Sequence, residues 1–477
     1  MSASGQGNGN GRREDPEIGW RDRVVFSRAG FAYRPGDVVT TGGDEAKAIA
    51  AETWPEESVV IEVAEEVGPC ARLTGVPDPL RLIQDLRLQG IVARPNHVFF
   101  IHCGFCGPHP ASSGFGVFGI NPASINPASI NPASINPASI NPAAFNPASI
   151  NPASINPASI NPASINPASI NPASINPNHP YRVTGLRRSS ARPAAPTKDE
   201  VAVLTTKISC QGVEGGPKVI VLDTGLAGTN PPATLSAATA IHAAAGADVD
   251  EPDNDRNNFI DPAAGHGTFI AGLVNQVAPG CTVTVDRVAT MYGDTDEFTA
   301  ARLVDGLDCD DRTILSLSFG GQAMDDEAVV LGWAIRRFQA RGGVVVASAG
   351  NDSSCLPSFP AAFPDVVSVG AIGPSGPAPF TNYGPWVRAC APGVDLTSMF
   401  FDGFSGQQAP GPDGVDPDDF KGWARWSGTS FSAPVVVGAL ARMMMWSGCS
   451  AKDAVKRVVD APELMRIPNL GTVVNVI

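Results

Sequence analysis

Along the chain the pattern of hydrophobic and polar positions changes character twice. In residues 21–101 it is mixed: "SVVIEVAEE" at 58–66 alternates as a strand does, and "HVFFI" at 97–101 reads as another. Between them Asp78-Pro79 offers a helix cap with proline in the first turn, "LRLIQDLRLQG" follows with its aliphatic residues on one face, and Gly90 can stop the helix. The pattern predicts a small α+β domain over 21–101. Much later, "KVIVLDTG" at 218–225, "GTFIAGLV" at 267–274, "TILSLSFGG" at 313–321, "GGVVVASAGN" at 342–351 and "DVVSVGAI" at 365–372 set apolar runs among helical stretches. Continuous apolar runs of this kind suit strands buried on both faces, so residues 201–477 are expected to form an α/β domain around a mostly parallel sheet.

Between these regions the unit NPASI recurs from Asn121 to Ile175, broken only by NPAAF at 141–145. Proline at every fifth position removes a backbone donor each time, which excludes an ordinary helix or central strand. Two readings remain for 121–177. One is an extended, turn-rich spacer. The other is a rod, because Ala-Ser-Ile-Asn-Pro resembles the five-residue repeats that coil into a square β-solenoid, and Phe145 keeps a large apolar residue in register. Residues 178–200 read as a basic, proline-rich linker, and 1–20 as a disordered tail.

Composition narrows the function. The 477 residues suggest two or three domains, and a formal net charge of −14 argues against a non-specific nucleic-acid binder. The first twenty residues lack the apolar segment of a signal peptide, and no apolar run of about 18 residues is present to cross a membrane. The expectation is a cytoplasmic protein without membrane association, or one using a non-standard export route. Nine cysteines, an odd number at low density, read mostly as buried thiols. His102, Cys103, Cys106 and His109, within the glycine-rich segment 102–120, have a spacing compatible with tetrahedral zinc or with redox chemistry; the competing reading is a glycine-rich turn.

Three residues of the second domain are candidates for chemistry. Asp223 closes an apolar run, His266 stands between glycines before a helix, and Ser430 leads into the long apolar stretch "SFSAPVVVGALARMMM". A serine hydroxyl needs an imidazole to take its proton, and the imidazole needs a carboxylate to fix its tautomer. Each residue alone has a plainer reading, as a turn former, a structural donor and an N-cap.

Together, "VIVLDTG", "GHGTFIAG" and "GTSFSAP" resemble the three signature blocks of the subtilisin-like serine proteases, in that family's Asp, His, Ser order. The resemblance continues through "SLSFGG", "SAGND", "FPAAFPDVVSVGAI" and "FTNYGPWVRACAPG". It implies a three-layer catalytic domain in which Asp223 orients, His266 acts as general base and then acid, and Ser430 is the nucleophile. Asn351 then matches the side-chain donor of the oxyanion hole. Ser318, Phe319 and Gly320 match the strand that pairs with substrate backbone, and Ser348, Ala349 and Gly350 the wall of the pocket beside the cut bond. Small uncharged residues there imply a preference for apolar or aromatic side chains. The chemistry itself calls for no cofactor.

The acidic loop between Asp223 and His266 places Asp253, Asp255, Asn257 and Asp261 at positions 1, 3, 5 and 9 of a calcium-type loop, with Ala264 where the closing glutamate would stand. It reads either as a structural calcium site, with Asp248 and Asp250 completing it from the other side, or as a solvated loop. The family commonly carries a small propeptide, so residues 21–101 are expected to act as an intramolecular inhibitor or folding chaperone. The whole then reads as a serine endopeptidase acting on proteins or peptides and controlled by its amino-terminal region. The alternative is a repeat-based binding or scaffold protein whose protease domain is silent or self-processing.

Overall fold

The structure, a computed structural model, describes residues 23–55, 60–101, 216–228, 241–254, 256, 260–261, 263–374, 376–405, 409–411, 414–416 and 419–474. The tail 1–20, the segment 102–120 with His102, Cys103, Cys106 and His109, the repeat 121–177 and the linker 178–200 lie outside the described residues, as do Asp255 and Asn257.

The amino-terminal unit runs β1 (Val25–Phe26), β2 (Ala32–Thr40), α1 (Gly43–Thr53), β3 (Glu62–Val67), β4 (Cys70–Thr74), α2 (Pro79–Leu88) and β5 (Ala93–Ile101). Asp78 caps α2 by accepting from the Arg81 N–H at 3.1 Å, and proline at the next position surrenders a donor that the helix start leaves unpaired anyway. Gly90, at φ +81°, lets the chain leave the helix in the left-handed region. The alternation read at 58–66 yields a strand only from Glu62, and β2, α1 and β4 carry no comparably clear pattern. Four strands pair antiparallel in the order β3-β4-β2-β5, and both helices bury an apolar side in a small core around Leu73, Leu82, Ile83 and Leu86.

The second unit begins with β6 (Lys218–Asp223) and β7 (Ile241–Ala243). It continues through α3 (His266–Val277), β8 (Thr282–Arg287), β9 (Asp294–Asp296), α4 (Glu297–Gly306), β10 (Thr313–Leu317), β11 (Phe319–Gly320), α5 (Val329–Ala340) and β12 (Val344–Ser348). Then come β13 (Val367–Gly373), β14 (Gly376–Pro377), β15 (Ala389–Pro392), β16 (Leu396–Ser405), β17 (Ala409–Gly411), β18 (Gly414–Asp416) and β19 (Asp419–Trp426). The long helix α6 (Thr429–Ser447), the short α7 (Ala451–Val455) and strands β20 (Arg466–Ile467) and β21 (Gly471–Val473) complete it. Eight strands run parallel in the order β7-β8-β6-β10-β12-β13-β15-β21. Every residue of β10 and β12 is buried, as the continuous apolar runs require. The run at 267–274 is the body of α3 rather than a strand.

Successive strands build outward from β6 in both directions, toward β8 and β7 on one side and toward β10 and beyond on the other. The carboxyl end of β6 is therefore the switch point of the sheet, where an open α/β fold leaves a crevice. Asp223 is its last residue.

The two units share a sheet. On its free side β5 pairs antiparallel with β9, setting Val98 opposite Asp296 and Phe100 opposite Asp294, and with β11, setting Ile101 opposite Phe319 and Phe100 opposite Gly320. Phe99 stacks on Phe319 with centroids 6.3 Å apart, and Phe99, Ile101, Val67 and Cys70 belong to the same apolar cluster as the parallel sheet. Polar groups are matched as well. Asn96 accepts from the Phe298 N–H at the start of α4. His97, fully buried, sits 2.6 Å through Nδ1 from Glu297, whose other oxygen accepts from the Val330 N–H at the start of α5. Nε2 of His97 accepts from the Met324 N–H at 2.9 Å, so the proton of the ring lies on Nδ1. Arg34 reaches Asp294 at 2.9 Å and Asp296 at 3.3 Å, and Arg94 pairs with Glu327.

Phe338 fills the space beneath α5 and is fully buried. Replacing it with alanine should lower stability by about 3–5 kcal/mol. Read as the urea midpoint of the second unit, a shift that small surface substitutions also produce would contradict this packing.

Candidate active site

Asp223 and His266, forty-three residues apart in the chain, meet at the switch point. Nδ1 of His266 lies 2.7 Å from Oδ1 of Asp223, and the same oxygen accepts from the Thr224 N–H at 2.8 Å. Because the carboxylate oxygen accepts, Nδ1 carries a proton, and in the neutral ring Nε2 then presents its lone pair. Nε2 makes no hydrogen bond among the described residues. A buried acceptor of that kind is the feature a proton-abstracting imidazole needs.

Local structure explains the placement. Gly265, at φ +78°, turns the chain into α3, and a Cβ there would lie 2.2 Å from the Phe400 ring. A Cβ on Gly267 would lie 2.4 Å from the Gly225 carbonyl oxygen. The start of α3 thus presses on the turn after β6, which only small residues permit. Trp426 meets the imidazole edge-on with centroids 5.4 Å apart, and Phe431 tilts against it at 5.2 Å. These rings exclude water from His266, which is completely buried together with Asp223 and Ser430.

Ser430 is the second residue of α6. Its Oγ donates to the Ser318 carbonyl at 3.2 Å, and the Ser318 hydroxyl donates back to the Ser430 carbonyl at 3.2 Å. Pro434, four residues on, has no N–H with which to claim the Ser430 carbonyl, so that oxygen is open to Ser318. A helix-interior proline that would be costly elsewhere here ties the serine to the end of β10.

Asn351 follows β12. Its side-chain oxygen accepts from both the N–H and the hydroxyl of Thr429, each at 2.9 Å, which identifies that atom as oxygen and turns the NH2 end away. The Thr429 hydroxyl in turn accepts from the Gly350 N–H at 3.1 Å. Asn382 holds the same loop: it donates to the Ala349 carbonyl and accepts from the Asp352 and Ser354 N–H groups. Gly350, at φ +108°, has no room for a Cβ against Asn382. Ser318–Gly320 and Ser348–Gly350 lie at the ends of the adjacent parallel strands β10 and β12. Phe319 and Gly320, as β11, are already paired with β5.

Of the four candidate ligands in the acidic loop, Asp253 and Asp261 lie among the described residues. Asp261 accepts through Oδ2 from both the backbone and side-chain N–H groups of Asn254, tying the loop to itself. Asp250 is buried. Its Oδ2 accepts from the Thr224 hydroxyl at 2.7 Å and from the Gly265 N–H at 2.8 Å. Burial pushes its carboxyl up to about 8, against the opposing effect of those two hydrogen bonds and of Arg287. Among the described residues no three His, Cys, Asp or Glu side chains converge as metal ligands, and no helix is long and apolar enough to cross a membrane.

Asp223, His266, Ser430, Asn351, Ser318–Gly320 and Ser348–Gly350 were all visible in the sequence. Thr429 and Asn382 lay inside the quoted blocks "GTSFSAP" and "FTNYG" without a role. The sequence pattern grouped Asp250 with the acidic loop, whereas its partners Thr224 and Gly265 come from two other segments.

The chain is similar in sequence to known serine proteinases. A thermophilic serine proteinase of Bacillus sp. (strain AK1) is 30% identical over 261 residues, covering 51% of this chain and 57% of that one. Subtilisin-like protease 2 of Pseudogymnoascus destructans is 28% identical over 213 residues, covering 43% of this chain and 46% of that protein. The chain thus spans about half the length of these curated relatives. A solved structure, of a cold adapted subtilisin-like serine proteinase, aligns at 21% identity with a TM-score of 0.40, covering 55% of this chain and 88% of that one. A family profile described as the Subtilase family matches residues 214–458. With that match over more than half of its length, the chain belongs to the subtilase family.

Proposed function

We propose that the chain is a serine endopeptidase, and that its amino-terminal unit holds the enzyme in an inhibited state. The observation that carries the first part is the 2.7 Å Asp223–His266 hydrogen bond in a family whose signature blocks this chain contains. Nε2 of His266 takes the Ser430 proton as Oγ attacks the peptide carbonyl carbon. The oxygen that becomes negative is met by the Asn351 NH2, aimed by Thr429, and by the Ser430 N–H. His266 then gives its proton to the leaving amine, and water repeats the sequence on the acyl-enzyme. Asp223 keeps the imidazole in one tautomer and stabilises its cationic form. Small residues at 348–350 favour apolar or aromatic side chains beside the cut bond.

The second part is supported by the pairing of β5 with β11. Phe319 and Gly320 are the residues that resemblance assigns to substrate backbone, and here Ile101 and Phe100 occupy their ladder. A strand added to an edge uses the same main-chain hydrogen bonds that a bound peptide would use. Substrate and β5 therefore compete for one surface.

Replacing Ser430 with alanine should abolish both peptide hydrolysis and covalent labelling by an organophosphonate. Mass spectrometry of the unsubstituted chain before and after incubation, beside this variant, shows whether and where it cuts itself. Labelling that persists in the variant would refute Ser430 as nucleophile. Thr429→Val keeps the shape but loses one hydrogen bond to Asn351, and should lower kcat by up to about tenfold with KM little changed. A change confined to KM would assign Thr429 to binding instead.

Arg34→Glu places a third carboxylate beside Asp294 and Asp296. Breaking this part-buried ion pair and adding a like charge should cost about 1–3 kcal/mol, enough to raise the labelling rate at Ser430 by about tenfold if the amino-terminal unit blocks the site. An unchanged or slower rate in the folded variant would count against inhibition.

A further inference from the structure

We propose that Asp250 is a positioning residue, one carboxylate oxygen that locks the segment bearing Asp223 to the segment bearing His266. The proposal rests on the protease reading for its kinetic consequence and on geometry alone for its structural one.

Three residues flank the catalytic pair in sequence: Thr224 follows the acid, and Gly265 and Gly267 bracket the base. All three belong to one hydrogen-bond system. The Gly267 N–H donates to the Thr224 hydroxyl at 3.0 Å, so the hydroxyl proton must point elsewhere. It points to Oδ2 of Asp250, 2.7 Å away, and the same oxygen takes the Gly265 N–H at 2.8 Å. Meanwhile the Thr224 N–H and Nδ1 of His266 converge on Oδ1 of Asp223. Each end of the Asp–His bond is thereby tied through its chain neighbours to Asp250.

The segment carrying Asp250 is itself anchored. The Asp250 N–H donates to the Leu226 carbonyl at 3.0 Å, and Arg287, at the end of β8, donates to the Val249 carbonyl at 3.0 Å. A Cβ at Gly225 would lie 2.8 Å from the Asp248 carbonyl oxygen, so the segment lies flat against the turn after β6. Asp250 is 2% exposed, and without it the Thr224 hydroxyl and the Gly265 N–H would be buried without an acceptor. The charged groups acting on it are Arg287 and Asp223, of opposite sign. Both contacts are made to one oxygen, Oδ2, so an asparagine oxygen can accept the same two hydrogen bonds.

The test compares Asp250→Ala, Asp250→Asn and Thr224→Val in the full chain. It uses steady-state hydrolysis of an apolar peptide anilide, organophosphonate labelling, and the low-field proton resonance of the Asp223–His266 hydrogen bond. Asp250→Ala and Thr224→Val are expected to lower kcat by about 100-fold, the scale of a misplaced catalytic group, with KM little changed and the resonance shifted or broadened. Asp250→Asn should restore both kcat and the resonance to near the level of the unsubstituted chain. A folded Asp250→Ala variant with unaltered kcat and resonance overturns the proposal, and so does an Asn variant as impaired as Ala. Should Asp250→Ala fail to fold, Thr224→Val decides by the same readouts. If the Arg34→Glu chain, freed of the amino-terminal block, neither hydrolyses nor labels, the protease reading fails while the resonance still decides the role of Asp250.

Discussion

The hydrogen bond between His266 and Asp223 sets the terms for everything around it. Both side chains are completely buried, and an imidazole and a carboxylate removed from water are costly unless each finds a partner. In a site lined by Trp426, Phe431 and Phe400 their attraction is weakly screened, so the bond is strong but its geometry must be supplied by the fold. That requirement explains the glycines at 265 and 267, which let α3 begin against the turn after β6. It also explains why β6 lies between β8 and β10, where the chain leaves the sheet in both directions and opens a crevice at Asp223.

The same logic extends to the other half of the site. Ser430 and Asn351 come from segments that have no reason to meet until β10 and β12 lie side by side. Their alignment depends on small polar residues rather than on apolar packing. Ser318 takes the carbonyl that Pro434 leaves open, and Thr429 closes Asn351 onto Gly350. Helix propensity alone would reject proline at the sixth position of α6. The structure uses the missing donor to connect helix and strand.

How much of this was legible follows from the range of each interaction. The parallel sheet announced itself because strands buried on both faces must be apolar throughout, as in "TILSL" and "VVVAS". Asp223, His266, Ser430 and Asn351 were legible because each sits in a short block whose small neighbours are dictated locally. The cap at Asp78 and the stop at Gly90 were legible for the same reason. Strands β2 and β4 were not, since besides their neighbours β1 and β3 they pair with each other across α1 and β3. The contacts of Asp250 were not legible, because composition groups it with Asp248 and Asp253. Only the approach of Thr224 and Gly265 shows that it turns inward. The pairing of β5 with β9 and β11 was equally hidden: Phe100 and its partner Asp294 lie 194 positions apart in the chain.

Those last contacts bear on why such a long intervening stretch is tolerable. The units are held by a shared sheet, a stacked Phe99–Phe319 pair, the buried His97–Glu297 contact and the ion pairs of Arg34 and Arg94, none of which lies in residues 102–215. Even for a fully flexible connection, closure entropy grows only with the logarithm of length, so lengthening a loop tenfold costs about 2 kcal/mol. A single well-matched buried contact offsets a cost of that size. The interface can therefore keep its register whichever form the repeat takes. The length and sequence of that stretch are accordingly free to answer to demands other than holding β5 against Phe319 and Gly320.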